Sequence, residues 1–181
     1  MIDVLIAGAG IAGSSLALFL RRAGLEVLLV DRVARDAIGP DRYDSLEKAV
    51  FGPDGIPGPE PDELAEPVSR LVVASPTGKS GKTIPEYPYY IAHRRKLEVR
   101  LARLAEQAGA QLRDSTEVLY PLCDEHRVFG AALAKPGGAV ENVPARVTVD
   151  ATGIDSVLRT KLPRQWDIAT DPFDPSDCAG A

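Results

Sequence analysis

The sequence predicts an α/β protein: a parallel sheet entered through a βαβ unit, a β-meander that serves as a crossover, and an inserted hairpin. Three observations predict it. Residues 3–31 run as apolar strand, glycine turn, Ala/Leu-rich helix and second apolar strand. Residues 95–108 carry Leu97, Leu101, Leu104 and Ala105 at helical spacing. Residues 118–122, 127–134 and 140–149 then alternate with turn-rich breaks, the pattern of successive antiparallel strands.

Composition narrows the function classes. A chain of 181 residues with 45% hydrophobic and 26% charged residues has the profile of a folded, soluble domain. Its net charge of -5 leaves no excess of Lys and Arg to displace phosphate counterions, so nucleic acid is excluded as a bulk partner. Cys123 and Cys178 have no C-x-x-C spacing; no disulfide framework or metal site is expected, and a reducing cytoplasm suits them. Val4 to Leu20 is uncharged, yet three glycines interrupt it and Met1-Ile2-Asp3 precedes it without a basic residue. It therefore reads as neither a signal peptide nor a membrane span.

In chain order, Asp3–Ala7 is a short buried strand, Gly8-Ala9-Gly10-Ile11-Ala12-Gly13 a turn, and Ser14–Ala23 a helix. Arg21 and Arg22 complement the negative end of that helix and Gly24 stops it. Glu26–Val30 is the second strand, ending in Asp31. Between 37 and 67, Pro40, Pro53, Pro57, Pro59, Pro61 and Pro67 mark an irregular excursion in which Ser45–Phe51 is expected as a short helix. Ser69–Ala74 and Thr83–Ile91 are expected as one hairpin, 69–91, around a Gly/Ser/Pro turn. Gly109 closes the 95–108 helix, Gln111–Val118 is the next strand, and the meander leads into Asp150-Ala151-Thr152-Gly153. Residues 1–160 are expected as one domain, with 161–181 as a tail or the start of another.

G-x-G-x-x-G alone is a weak signal, but its setting here gives each glycine a task. Gly8 allows the tight turn out of the strand, Gly10 lets backbone approach a pyrophosphate, and Gly13 lets the helix pack on the sheet. The phosphates then face unpaired N–H groups at the positive end of the helix. Asp31 lies 23 residues after Gly8, at the end of the second strand, where it can accept from both hydroxyls of an adenosine ribose and repel a 2′-phosphate. The fold is thus a Rossmann-like dinucleotide-binding domain. Gly78-Lys79-Ser80 and Gly81-Lys82-Thr83 imitate the end of a P-loop, but Val73 and Pro76 stand where that motif needs glycine.

The chain leaves the alternating pattern after its second strand and later crosses over through a meander, which separates it from a plain NAD domain. It resembles the glutathione-reductase-type FAD-binding superfamily, and within it the geranylgeranyl reductase-like family. Three blocks carry the resemblance: Asp3–Arg32, Tyr90–Val118 and Arg146–Arg159. The resemblance implies FAD as cofactor, bound through Gly8, Gly10, Ala12, Gly13, Asp31 and Arg32. It implies that Arg94 lies near the dinucleotide, that the backbone of Val118 reads the adenine edge, and that Thr152 and Gly153 admit the cofactor at a second fingerprint. Thr152 stands where aromatic hydroxylases usually have Asp, which favours the reductase-like branch.

The same resemblance implies an oxidoreductase that reduces carbon–carbon double bonds of an isoprenoid or other apolar small molecule. Its reductant would be NAD(P)H, ferredoxin or another donor, and it would be cytoplasmic or associated with a membrane at the cytoplasmic face. Family members continue into a substrate domain that this sequence does not show, so no residue here is named as catalytic, and Trp166 and Phe173 are expected at the seam. Two alternatives stay open: an FAD-dependent aromatic monooxygenase or halogenase, and a non-catalytic module like the GDP-dissociation inhibitors.

Overall fold

The computed structural model describes residues 1–53, 55–65, 67–169, 171, 172 and 174. The chain divides into two compact units, one of Met1–Ile38 with the chain from Glu98 onward, the other of Gly39–Leu97. Among the described residues of the first unit, six strands share one sheet. They are β1 (Ile2–Ala7), β2 (Val27–Val30), β7 (Gln111–Arg113), β8 (Glu117–Cys123), β9 (Val128–Ala134) and β10 (Val140–Asp150), in the order β7-β2-β1-β10-β9-β8. The first four run parallel, and β8 and β9 join them as an antiparallel meander.

Both faces of the central strands are buried, which is why β1 and β2 read as unbroken apolar runs. Val4, Ile6, Val27 and Leu29 face a core shared with helix α1 (Ile11–Arg22) and with Ala102 and Ala105 of helix α2 (Arg94–Gln107). Leu5, Ala7, Leu28 and Val30 alternate with them and pack beneath the meander against Val118, Ala131, Leu133 and Val143. The eleven-residue β10 serves both layers: Val140–Pro144 pair with β9, and Ala145–Asp150 pair with β1. Pro144, which has no N–H to donate, stands where the strand changes partners. Both helices close on glycine. Leu25 N–H bonds Leu20 O and Gly24 N–H bonds Arg21 O; Ala110 and Gly109 repeat the pattern on Ala105 and Glu106.

Four sequence expectations need correction. Helix α1 starts at Ile11, not Ser14, because the glycine turn itself supplies the first helical acceptor, Gly10 O to Ser14 N–H at 2.9 Å. Ser45–Phe51 is not a helix: β3 (Tyr43–Glu47) pairs antiparallel with β6 (Tyr89–His93), and only Lys48–Val50 makes a helical turn. So short an isolated helix is marginal, whereas pairing with β6 gives Tyr43–Glu47 ladder partners. The expected strand Thr83–Ile91 is two strands, β5 (Gly81–Ile84) pairing with β4 (Leu71–Ala74), and β6 pairing with β3. Pro85 and Pro88 separate them, since neither can donate to a ladder. Gln111–Val118 is likewise broken, by Ser115 at φ 49°, so that Val118 belongs to β8.

The second unit holds β3–β6 and the β4–β5 hairpin, with Val72 and Val73 exposed on the latter. After β10, short helical turns at Gly153–Asp155, Arg159–Lys161 and Arg164–Trp166 stay attached to the first unit, and the Trp166 indole donates to Glu125 O at 3.0 Å. Phe173 and Cys178 lie outside the described residues. No helix among those described is long and apolar enough to cross a membrane.

The two-faced core makes a quantitative prediction. Leu28→Ala, at a fully buried position, should cost about 2–5 kcal/mol in urea unfolding, while Val147→Ala at a half-exposed one should stay within about 0.5 kcal/mol.

Candidate cofactor site

The ends of β1, β2 and β10 meet at the glycine turn. Gly8 leaves β1 at φ 97°, and a Cβ there would overlap the carbonyl of Ala151, the residue that follows β10. A Cβ on Gly13 would overlap the carbonyl oxygen of Gly8 and press on Ile6. Residues 8 and 13 are therefore glycine for packing reasons that hold before any ligand is considered. Gly10 differs. Its backbone is extended (φ -66°, ψ -172°), and the nearest atom to an added Cβ is Glu98 Oε2 at 3.5 Å. That flank of the turn is a cradle a side chain would fill.

The start of α1 is electropositive and uncapped. No side chain caps Gly10 and no acidic residue occupies the first turn. The N–H groups of Ile11, Ala12 and Gly13 precede the first intrahelical bond and have no intrahelical acceptor. Ser14 instead turns back, its hydroxyl donating to Ala9 O at 2.7 Å and fixing the turn to the helix. Such an array of donors fits a diphosphate.

Asp31 holds the turn from the neighbouring strand end. Its Oδ2 accepts the Ala9 N–H at 2.7 Å and its Oδ1 accepts the Val33 N–H at 3.0 Å. A carboxylate offers about four acceptor sites, so two bonds to backbone leave room for about two more, as many as a ribose diol requires. Beside it, Ser115 N–H bonds Val33 O and Thr116 N–H bonds Asp31 O.

From the other side, Asp150 gathers the loop that follows β10. Its Oδ1 accepts from Thr152 Oγ1 at 2.6 Å and Thr152 N at 3.1 Å, and its Oδ2 from the amides of Leu158 at 2.8 Å and Arg159 at 3.0 Å. Burial works against its charge, but these donors outweigh burial and hold the carboxyl below its ordinary value. Its stabilising contribution is thus complete above the unfolded-chain value, 3.8, and is lost as pH falls through the lower folded one.

The structure brings Gly8, Gly10, Gly13 and Asp31 together, with exposed Ala12 at the helix opening. Arg32 is exposed and reaches Asp155 at 3.5 Å, a surface pair of little energetic weight. Val118 is buried in the meander-side core. Arg94 belongs to the second unit, where it donates to Asp44 at 3.1 Å; His93 there meets Asp41 at 3.1 Å. The Thr152 hydroxyl is turned toward Asp150, and Gly153 follows at φ 74°. Sequence reasoning missed Asp150, Glu98 and Ser14. For Asp150, the available signal was an Asp at a strand end two residues before a Thr.

Comparison with known proteins joins this geometry to a chemistry. A family model of the FAD binding domain matches residues 1–51. A digeranylgeranylglycerophospholipid reductase of Sulfolobus acidocaldarius is 33% identical over 171 residues, 93% of this chain and 38% of the relative. The chain is thus similar, along nearly its whole length, to a geranylgeranyl reductase-like FAD-dependent oxidoreductase. It spans about two fifths of the length of the curated relatives it matches. Its FAD-binding fold is shared with a geranylgeranyl bacteriochlorophyll reductase-like protein of Thermoplasma acidophilum, at TM-score 0.75 and 22% identity over 88% of this chain and 41% of that one. Aklavinone 12-hydroxylase DnrF of Streptomyces peucetius subsp. caesius is 28% identical over 89% of this chain and 37% of its own. FAD is the cofactor of this flavoprotein, and the open flank of Gly10, the free helix amides and the remaining acceptor capacity of Asp31 fit it.

Two outcomes check the site. Gly13→Ala should unfold at a lower temperature, with a cost of about 1–3 kcal/mol or more for the overlap with Gly8, whereas Gly52→Ala, which meets nothing within 4 Å, should not. Asp31→Ala should weaken FAD binding roughly 10- to 100-fold in a fluorescence titration, since each hydrogen bond to a charged group contributes about 1.5–3 kcal/mol.

Proposed function

We propose that this flavoprotein reduces carbon–carbon double bonds in an isoprenoid or another apolar substrate. The observation that carries the reading is the 33% identity with a digeranylgeranylglycerophospholipid reductase along nearly all of this chain. When bound, FAD supplies hydride transfer between the electron donor and the double bond. The residues of this chain hold the cofactor in place: the amides at the start of α1 carry its negative charge, Asp31 grips the adenosine sugar, and the glycines keep the turn free of side chains. Thr152, in place of the Asp usual in aromatic hydroxylases, also supports a reductase. The donor is NAD(P)H, ferredoxin or a similar reduced carrier. An isoprenoid lipid resides in the membrane, so the working location is the cytoplasm at a membrane face.

A flavin monooxygenase is the second reading, supported by the 28% identity with aklavinone 12-hydroxylase. Anaerobic incubation of the natural protein, chemically reduced, with a geranylgeranyl lipid separates the two. The reductase reading expects the lipid to gain one H2 per double bond by mass spectrometry, with reoxidation of the flavin absorption. Unchanged lipid, together with NAD(P)H-dependent oxygen uptake in a separate aerobic assay with an aromatic substrate, would favour the hydroxylase.

A further inference from the structure

Asp150 spends its carboxylate on donors from the loop after β10, and through them it organises what the glycine turn rests on. The Ala151–Thr152 peptide packs against Gly8: a Cβ on Gly8 would strike Ala151 C at 2.7 Å and Thr152 N at 3.1 Å. Two bonds fix this peptide. Ala151 N–H donates to Ala7 O at 2.8 Å, extending the β1–β10 ladder, and Thr152 N–H donates to Asp150 at 3.1 Å. The Thr152 hydroxyl donates to the same carboxylate and accepts the Val157 N–H at 2.9 Å. The other carboxylate oxygen takes the amides of Leu158 and Arg159. Three successive amides, 157 to 159, are thereby drawn onto a two-residue hub, and Leu158 is anchored in the meander-side core.

We infer that Asp150, acting through Thr152, is a positioning residue for the diphosphate turn: it sets the Ala151–Thr152 peptide against Gly8 and so fixes where the turn presents its amides. This inference rests on the assignment of FAD to the glycine turn. It gives Thr152 a different task from donating to the cofactor, because its hydroxyl hydrogen and one of its acceptor positions are spent inside the loop. The arrangement is preorganisation: the amides are aimed before the ligand arrives, so less ordering accompanies binding. It also braces the turn symmetrically, since Asp31 holds Ala9 from β2 while Asp150 holds the Gly8 contact from β10.

Thr152→Val, Thr152→Ser, Asp150→Ala and the double variant Asp150→Ala/Thr152→Val of the full chain test this by two readouts. In fluorescence titrations with FAD, Thr152→Val should bind about tenfold more weakly and Thr152→Ser within about twofold of the parent, because a serine hydroxyl restores both bonds. The double variant should bind no more than about twofold more weakly than Asp150→Ala, since one hub has already been lost. Costs that add fully, or a Thr152→Val protein that binds like the parent, would overturn the inference. The second readout uses no ligand. Amide hydrogen exchange by NMR should show Val157, Leu158 and Arg159 losing protection in Thr152→Val together with Gly8 and Ala9, and regaining it in Thr152→Ser. Loss confined to 157–159, with Gly8 and Ala9 unchanged, would sink the coupling even if FAD binds. Failure of the parent chain to bind FAD would count against the cofactor assignment and leave the exchange result to decide the hub. Should Asp150→Ala not fold, the Val and Ser pair decides alone.

Discussion

The carbonyl group of Gly8 and the peptide of Ala151–Thr152 leave no space for a side chain at residues 13 and 8, and everything else at the site follows from that closeness. It brings α1 down onto the sheet so that the helix opens directly over the ends of the parallel strands. The positive end of the helix dipole and its unbonded amides are then concentrated where β1, β2 and β10 terminate. Ligands of open α/β sheets bind at such strand ends. Here the crevice is also bounded on the β10 side by a loop that the same packing contact reaches.

Two carboxylates stabilise the turn without filling it. Asp31 and Asp150 each accept backbone or hydroxyl donors from residues close to the turn, and none of those donors is an amide of residues 11–13. A carboxylate bonded to those amides would compete with a diphosphate; these two are bonded elsewhere. Asp31 keeps acceptor capacity for a sugar, whereas Asp150 is committed to four donors from its own loop. The distinction between a ligand-reading carboxylate and a scaffold-holding one thus comes from counting donors, not from residue type.

How much of this could be read from the sequence depends on how local the cause was. The β1–turn–α1–β2 unit was legible because strand, glycines and helix are consecutive and their periodicity is strong. The meander was legible for the same reason. The strand Tyr43–Glu47 was not: its residues are mostly polar, and its partner, which runs from Tyr89 to His93, lies about 50 residues away. Pro85 and Pro88 hid a change of partner inside what looked like one strand, and Ser115 in the left-handed region broke another where no glycine or proline gave warning. At the site, the glycines and Asp31 carry signatures of spacing. Asp150 carries only the local part of its signature, Thr152 two residues on, because its donors at 158 and 159 are brought back to it only by the fold.

The central claim is that the open amides of residues 10–13 carry the diphosphate of FAD. Titrating the isotopically labelled chain with FAD and with riboflavin, which shares the flavin ring but lacks the diphosphate, tests it most directly. The account expects FAD to shift the amide resonances of Gly10, Ile11, Ala12 and Gly13 most, and riboflavin to leave them in place and bind far more weakly. Equal affinity for the two ligands, or FAD binding with those four resonances unmoved, would contradict it.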